Sequence, residues 1–271
     1  MNTRFGQSWQ NMRLALGVEY DGTEFHGWQR QRTGRTVQGC LEEALSRVAD
    51  HQLAAVCAGR TDTGVHATEQ VIHIDTVAVR EDKAWIRGGN ANLPPDIRIQ
   101  WAREVENTFH ARFSARRRHY RYVILNRPCP SAQFRHRASW VYAELDETSM
   151  REGAIHLLGE HDFTSFRALA CQAKHPIRTI YTLDVNRRGD FIYIDVVANA
   201  FLHHMVRCIV GVLITIGRGQ APPEWAREVL EARSRAAGGI TAPAAGLYLV
   251  AVHYPGEFAI PRVGWLPEYG R

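Results

Sequence analysis

The sequence predicts an α+β fold of two similar halves whose antiparallel sheets face or join around a cleft. Two observations lead there. Apolar residues recur every second position in some segments and every third to fourth in others, in the order strand, helix, strand, strand, helix, strand. That is the order of the split βαβ, ferredoxin-like plan, and the second half of the chain repeats it loosely. The length agrees: at roughly 100–200 residues per domain, 271 residues make one large domain or two moderate ones.

Residues 13–20 (RLALGVEY) alternate, with Leu14, Leu16, Val18 and Tyr20 on one face, and predict a strand. A loop rich in Gly and Gln follows, DGTEFHGWQRQRTGR. Val37, Leu41, Leu45 and Val48 then recur at helical spacing, so 36–49 reads as an amphipathic helix. LAAVCA (53–58) is a short apolar strand running into the polar turn GRTDTGVHA, and EQVIHIDT (69–76) returns as another strand. A helix is expected over 81–90, a turn at Asn92-Leu93-Pro94-Pro95-Asp96, and a strand over 97–105. In the second half, 119–125 is a strand and 147–158 a helix. Residues 179–187 and 190–198 form a hairpin turning at Arg188-Gly189. A long helix is expected over 200–217, an extra one over 223–233, and a closing strand over 247–254. The repetition is one of pattern, without a sequence repeat. The boundary between halves falls near 107–117, where the chain turns strongly basic.

Composition narrows the function classes. Apolar residues make up 45% of the chain and aromatics 10%, enough to fill a core and unlike a disordered chain. Lys plus Arg is 33 against 28 for Asp plus Glu, a net charge of +5, which is a mild pull toward a polyanion. Of the 33, only Lys83 and Lys174 are lysines. Arginine offers planar, bidentate phosphate contacts and stacks on bases, although a GC-rich coding sequence produces the same bias. The five cysteines (40, 57, 129, 171 and 208) are odd in number, widely spaced and free of C-x-x-C, against a disulfide framework or zinc ribbon and in keeping with a reducing cytoplasm. MNTRFGQSWQNMR lacks the apolar core of a signal peptide. The most apolar stretch, Cys208 to Ile216, is too short for a bilayer, so no membrane association is expected.

Three stretches could carry chemistry. Gly59-Arg60-Thr61-Asp62-Thr63-Gly64-Val65-His66-Ala67 sets a carboxylate between glycines in a strand-flanked loop, the usual place for a catalytic group. A plain Asx turn would look similar. Between Phe109 and Tyr122 five of fourteen residues are Arg and four are Phe or Tyr. Bases stack on such rings and phosphates pair with such charges, while a solvated basic strand edge is the plainer alternative. In Asn199-Ala200-Phe201-Leu202-His203-His204-Met205-Val206-Arg207, a helix would put His203 and Arg207 on one face toward the cleft. Adjacent His203 and His204 could not converge on one metal in a regular helix, and there is no H-E-x-x-H, so no metal site is expected.

Taken together, these stretches resemble the TruA family of tRNA pseudouridine synthases. Eight segments carry the resemblance in the family's order: YDGTEFHGWQRQ, RTVQG, AGRTDTGVHA, LPPDIRI, FHARFSARRRHYRY, GEHDFTSFRA, NAFLHHMVRCIVG and TAPAAGLYL. Cys208 departs from it, and the first eleven residues and the tail from Pro255 lie outside it. The resemblance implies two ferredoxin-like halves (12–112 and 113–255, then a tail 256–271) sharing one continuous antiparallel sheet with a central basic cleft. It implies a cytoplasmic, cofactor-free homodimer that converts uridine to pseudouridine at positions 38 to 40 of the tRNA anticodon stem-loop. By match to its motifs, Asp62 is the catalytic aspartate, Arg207 its partner, and Arg60 an arginine linked to base flipping; Tyr120 stacks on the target base and Leu247 lines the uracil pocket. Arg116, Arg118, Arg121 and His203 are the further residues expected against RNA. Three rivals are weaker. A zinc deaminase needs H-x-E and P-C-x-x-C, but Ala67-Thr68 follows His66 and Pro128-Cys129 lacks the second cysteine. A non-catalytic RNA-binding module would not need the Asp62, Tyr120 and Arg207 set. No spacing supports a hydrolase pairing Asp62 with Asp21 or Asp162.

Overall fold

In the computed structural model, which describes residues 11–270, the alternating segment at the start forms strand β1 (Met12–Tyr20). Thr36 caps helix α1 (Val37–Ala49) by accepting from the Gly39 amide, and the helix buries Val37, Leu41, Ala44 and Leu45. The expected 53–58 strand shrinks to β2 (Val56–Cys57), while the next strand starts three residues early as β3 (His66–Thr76). Helix α2 (Asp82–Asn92) and β4 (Ile97–Val105) complete the first half.

The second half runs β5 (Arg117–Asn126), β6 (Ser139–Val141), α3 (Glu147–Ile155), β7 (Gly159–Asp162), β8 (Ile177–Arg188), β9 (Phe191–Ala198), α4 (Met205–Gly217), α5 (Trp225–Glu231) and β10 (Leu247–His253). β6 and β7 are three and four residues long, too short to show a period in sequence. Eleven of the thirteen α4 residues are buried, so this helix is apolar all round and belongs to the core. Each fully buried Ile or Leu in it contributes about 1.5–3 kcal/mol over leaving it exposed.

Among the described residues, all ten strands lie in one sheet, along the path β4-β1-β3-β10-β5-β9-β8-β7, with β2 on β3 and β6 on β5. The sheet is mostly antiparallel. The expectation of a purely antiparallel sheet needs correcting at β3–β10 and β5–β6, which pair parallel. The β3–β10 pair joins the halves through two residue pairs, Tyr248 with His66 and Ala67 with Leu249. Because side chains alternate, Tyr120, Tyr122 and Ile124 enter the main core. Val123 and Leu125 join a smaller cluster with Phe191, Tyr193, Tyr248 and Val250 on the other face. The C-terminal stretch covers that second face: Tyr193 donates to the Tyr269 carbonyl, and the Val263 and Gly264 amides donate to Glu69.

The other departure lies before α4. The expected helix starts at 200, but the observed one starts at Met205. Asn199 accepts from the Thr179 and Ala200 amides, and the His203 carbonyl accepts from the Ala168 amide, so this backbone is committed outside a helix. His204 then takes the left-handed conformation, φ 64°.

Candidate active site

Two glycine-bearing segments interlock to hold the Asp62 loop. The Trp28 amide donates to the Thr61 carbonyl at 3.0 Å, and the Tyr20 and Thr61 hydroxyls bond at 2.8 Å. The Gly22 amide donates to His66 Nδ1 at 3.0 Å. Gly22 lies so close to this loop that a Cβ there would stand 1.9 Å from the Val65 carbonyl oxygen. Gln70 fastens the loop's start, donating to the Gly59 carbonyl at 2.6 Å. The Val65 amide closes the turn on the Asp62 carbonyl, and Gly64 supplies the positive φ of 78° the turn needs. Asp62 is therefore set on backbone fastened at both ends.

Its carboxylate meets three basic side chains. Arg207 Nη1 donates to Oδ2 at 3.2 Å while Arg207 Nε donates to the Ala242 carbonyl at 2.8 Å, which fixes the guanidinium in orientation. His203 Nε2 lies 3.2 Å from Oδ1 and His204 Nε2 lies 3.3 Å from Oδ2. The Asp62 side chain is 22% exposed, so a ligand can reach it. Burial holds the His204 imidazole below the ordinary histidine range, against the pull of Asp62. Tyr120 belongs to the same cluster: its buried ring lies edge-on to Phe201 with centroids 5.0 Å apart. Burial pushes its phenol well above the usual range, and the Asp62 charge adds to the effect.

Asp62, Arg207, Tyr120 and His203 are thus brought together as the sequence suggested, with the expected helix face replaced by a turn. His204 was missed, because on a helix it would point away from His203. The left-handed backbone at residue 204 turns both rings to Asp62, with ring centroids 4.1 Å apart. Histidine tolerates that region better than β-branched or bulky residues do, and nothing in the sequence flagged it. Asp62, His203 and His204 each offer one ligand atom, all within 4.8 Å of one another, so the steric ground for expecting no metal there does not hold.

The remaining candidates separate. Arg60, Arg112, Arg116 and Arg117 are exposed, and the Arg117 guanidinium sits 4.4 Å over the Tyr181 ring. Phe113, 75% exposed, stacks on His110 at 4.3 Å. Arg118 was expected against RNA, and its position corrects that. It is buried, and its two terminal nitrogens donate to the carbonyls of Ala58, Arg112, Ala115 and Asn199. Arg121 is corrected likewise. It lies on the opposite face of β5, with two donors on Asp195 and a third on Glu268. The aromatic-basic alternation that suggested RNA contacts along β5 is here the inward and outward alternation of a buried strand. Leu247 is buried at the start of β10, paired with Tyr122. Asp21 pairs with Arg137 and accepts from Thr23, and Asp162 accepts from Thr164, so both are engaged apart from Asp62.

Comparison with known proteins adds independent findings. A family model described as tRNA pseudouridine synthase matches residues 17–114 and 154–255. The tRNA pseudouridine synthase A of Nitrosococcus oceani is 57% identical over 252 residues, covering 93% of this chain and 97% of that protein. The protein of the same name from Alcanivorax borkumensis is 54% identical over 261 residues, covering 94% and 98%. That from Colwellia psychrerythraea is 53% identical over 251 residues, covering 93% and 97%.

Proposed function

The chain belongs to the tRNA pseudouridine synthase family, and from that premise we propose that it isomerises uridines 38, 39 and 40 of the tRNA anticodon stem-loop, with Asp62 as the catalytic carboxylate and no cofactor. It is an isomerase acting on tRNA uridine. The observation that carries the finer reading is the Asp62 carboxylate itself, partly exposed on a fastened loop and bonded by an arginine whose other donor is already fixed.

The chemistry asks for little more. The N-glycosidic bond breaks, the uracil turns, and C5 bonds to the sugar carbon; the C5 proton leaves and N1 gains one. No electron or group donor enters the balance. An ionised carboxylate serves by attacking the sugar carbon or by taking a sugar proton. Arg207 donates to that carboxylate and so pairs with the anion the chemistry uses. The target base must leave its stack at a cost of a few kcal/mol, which a ring such as Tyr120 offsets in part. The exposed Arg60, Arg112, Arg116 and Arg117, with Phe113 among them, suit the surrounding phosphates and bases.

Each half's strand order, β4-β1-β3-β2 and β10-β5-β9-β8, supports reading 12–112 and 113–255 as split βαβ units about a basic cleft, with a tail at 256–271. Arg271 lies outside the described residues. A cytoplasmic homodimer holding tRNA across both subunits completes the proposal. The test is a set of unmodified tRNA transcripts carrying uridine singly at 38, 39 or 40. Pseudouridine mapped at these positions supports the reading. Product confined to another part of the tRNA would overturn the anticodon stem-loop assignment.

A further inference from the structure

We propose that Asp62, His203 and His204 form a three-ligand site for a divalent transition-metal ion such as Zn2+, and that the ion, by taking the carboxylate, reversibly blocks the active site. Imidazole nitrogens and a carboxylate oxygen are the ligand set zinc takes in open sites, three from the protein with the remaining position left to solvent. At metal–ligand distances of about 2.0–2.1 Å, tetrahedral donors stand roughly 3.3 Å apart. His203 Nε2 stands 3.2 Å from Oδ1 and His204 Nε2 3.3 Å from Oδ2, and one donor atom from each of the three residues lies within 4.8 Å of the other two, so a small inward shift of the side chains brings them onto one ion.

The donors are already set by backbone. The His203 carbonyl is held by the Ala168 amide, His204 is turned inward by its φ of 64°, and the Asp62 carbonyl closes its own turn with Val65. Little ordering is left for the metal to impose. Each imidazole then carries its proton on Nδ1 and presents Nε2 to the ion, so a proton that bridged to Asp62 moves within the ring or leaves it.

Arg207 sets the limit. Its Nη1 is 3.2 Å from Oδ2 and brings positive charge to the ion's edge. The site therefore binds metal reversibly, with Oδ1 as the freer oxygen. A metal-bound Asp62 can neither attack nor take a proton, which is why occupancy would stop turnover; this consequence rests on the proposed role of Asp62.

Cobalt(II) reads the site without turnover. Protein stripped with EDTA and desalted is titrated with Co2+. Visible d–d bands of a four- or five-coordinate nitrogen and oxygen site are expected, without thiolate charge transfer from the five cysteines. His203→Gln, His204→Asn and Asp62→Asn should each weaken binding at least as much as losing an outer-shell partner does, ~10–100-fold. The His203 side chain is 42% exposed, so its variant decides the matter even if the turn at 204 does not tolerate change. Cobalt bound equally by all three variants, or through thiolate, would overturn the site. In parallel, pseudouridine formation is compared for each protein with Zn2+ and with EDTA. Loss in wild type that EDTA restores supports blocking, and full activity with the metal bound overturns it. An enzyme inactive even in EDTA, yet binding cobalt as described, would count against the proposed reaction and leave the metal site standing.

Discussion

Asp62 is where the residue scale decides most, because one carboxylate is bonded by Arg207 and flanked by two histidines. Its loop was legible in the sequence as a carboxylate between glycines, and Arg207 and Tyr120 as its companions by motif. His204 was not legible, because its role depends on one left-handed backbone angle that residue type does not announce. The arginines divide by burial, which charge counting cannot see: Arg118 and Arg121 are interior, whereas Arg60 and Arg116 are exposed. Tyr120 carries a prediction at this scale. Its buried ring meets Phe201, and burial keeps its phenol protonated across the physiological range. Tyr120→Phe should leave kcat within a few-fold of wild type if the ring alone supports the displaced base, and single-turnover rates on a tRNA transcript measure this. A loss as large as that from removing a positioned acid or base, roughly 100-fold or more, would assign the hydroxyl a chemical role.

Elements explain why the site keeps its geometry. β5 read as a basic, aromatic strand, and its alternation instead sends Arg118 to four carbonyls of flanking loops and Arg121 to an ion pair on the far face. Arg118→Ala should therefore destabilise the fold by about 2–4 kcal/mol, because one buried and three partly buried carbonyls lose a charged donor. Its effect on the salt dependence of tRNA binding should be small. Arg60→Ala with Arg116→Ala should do the opposite, leaving the melting temperature nearly unchanged and lowering the salt slope by about 1 for each phosphate no longer neutralised. Urea melts and binding titrations at several salt concentrations separate the two patterns. The glycine-rich loop after β1 was legible as a loop, but its purpose was not, because the approach of Gly22 to Val65 is a tertiary one. Gly22→Ala must push these backbones apart. A cost of roughly 1–3 kcal/mol is expected, with a further drop in kcat as the Asp62 loop shifts. An unchanged melting temperature would show that the two loops separate without penalty.

At the scale of the whole molecule, one sheet of ten strands is joined at its middle by two parallel residue pairs, and the Asp62 loop enters β3 at that junction. The alternation of strands and helices was legible because long, half-buried elements carry a strong period. The parallel junction was not, since short pairings between distant strands leave no local trace. Stability should also report on the interior. His73 accepts from the Ala111 amide through Nδ1, and burial, with the charges of Arg13 and His110, lowers its pKa to about 4. The folded state thus binds that proton less readily than the unfolded chain, whose histidines titrate near 6.5. The resulting contribution is fully present above about pH 6.5 and is lost progressively as the pH falls toward 4. His73→Gln, which keeps an acceptor for the amide, should flatten the fall in melting temperature across that window. An equally steep fall in the variant would place the sensitivity at a group other than His73.

The most direct test of the central claim compares wild type with Asp62→Ala in two assays on one tRNA transcript, pseudouridine formation without added cofactor and equilibrium binding. The account predicts product from wild type, none from the variant, and binding retained by both, because the carboxylate acts on the sugar and does not attract phosphate. Turnover by a folded Asp62→Ala protein would contradict it.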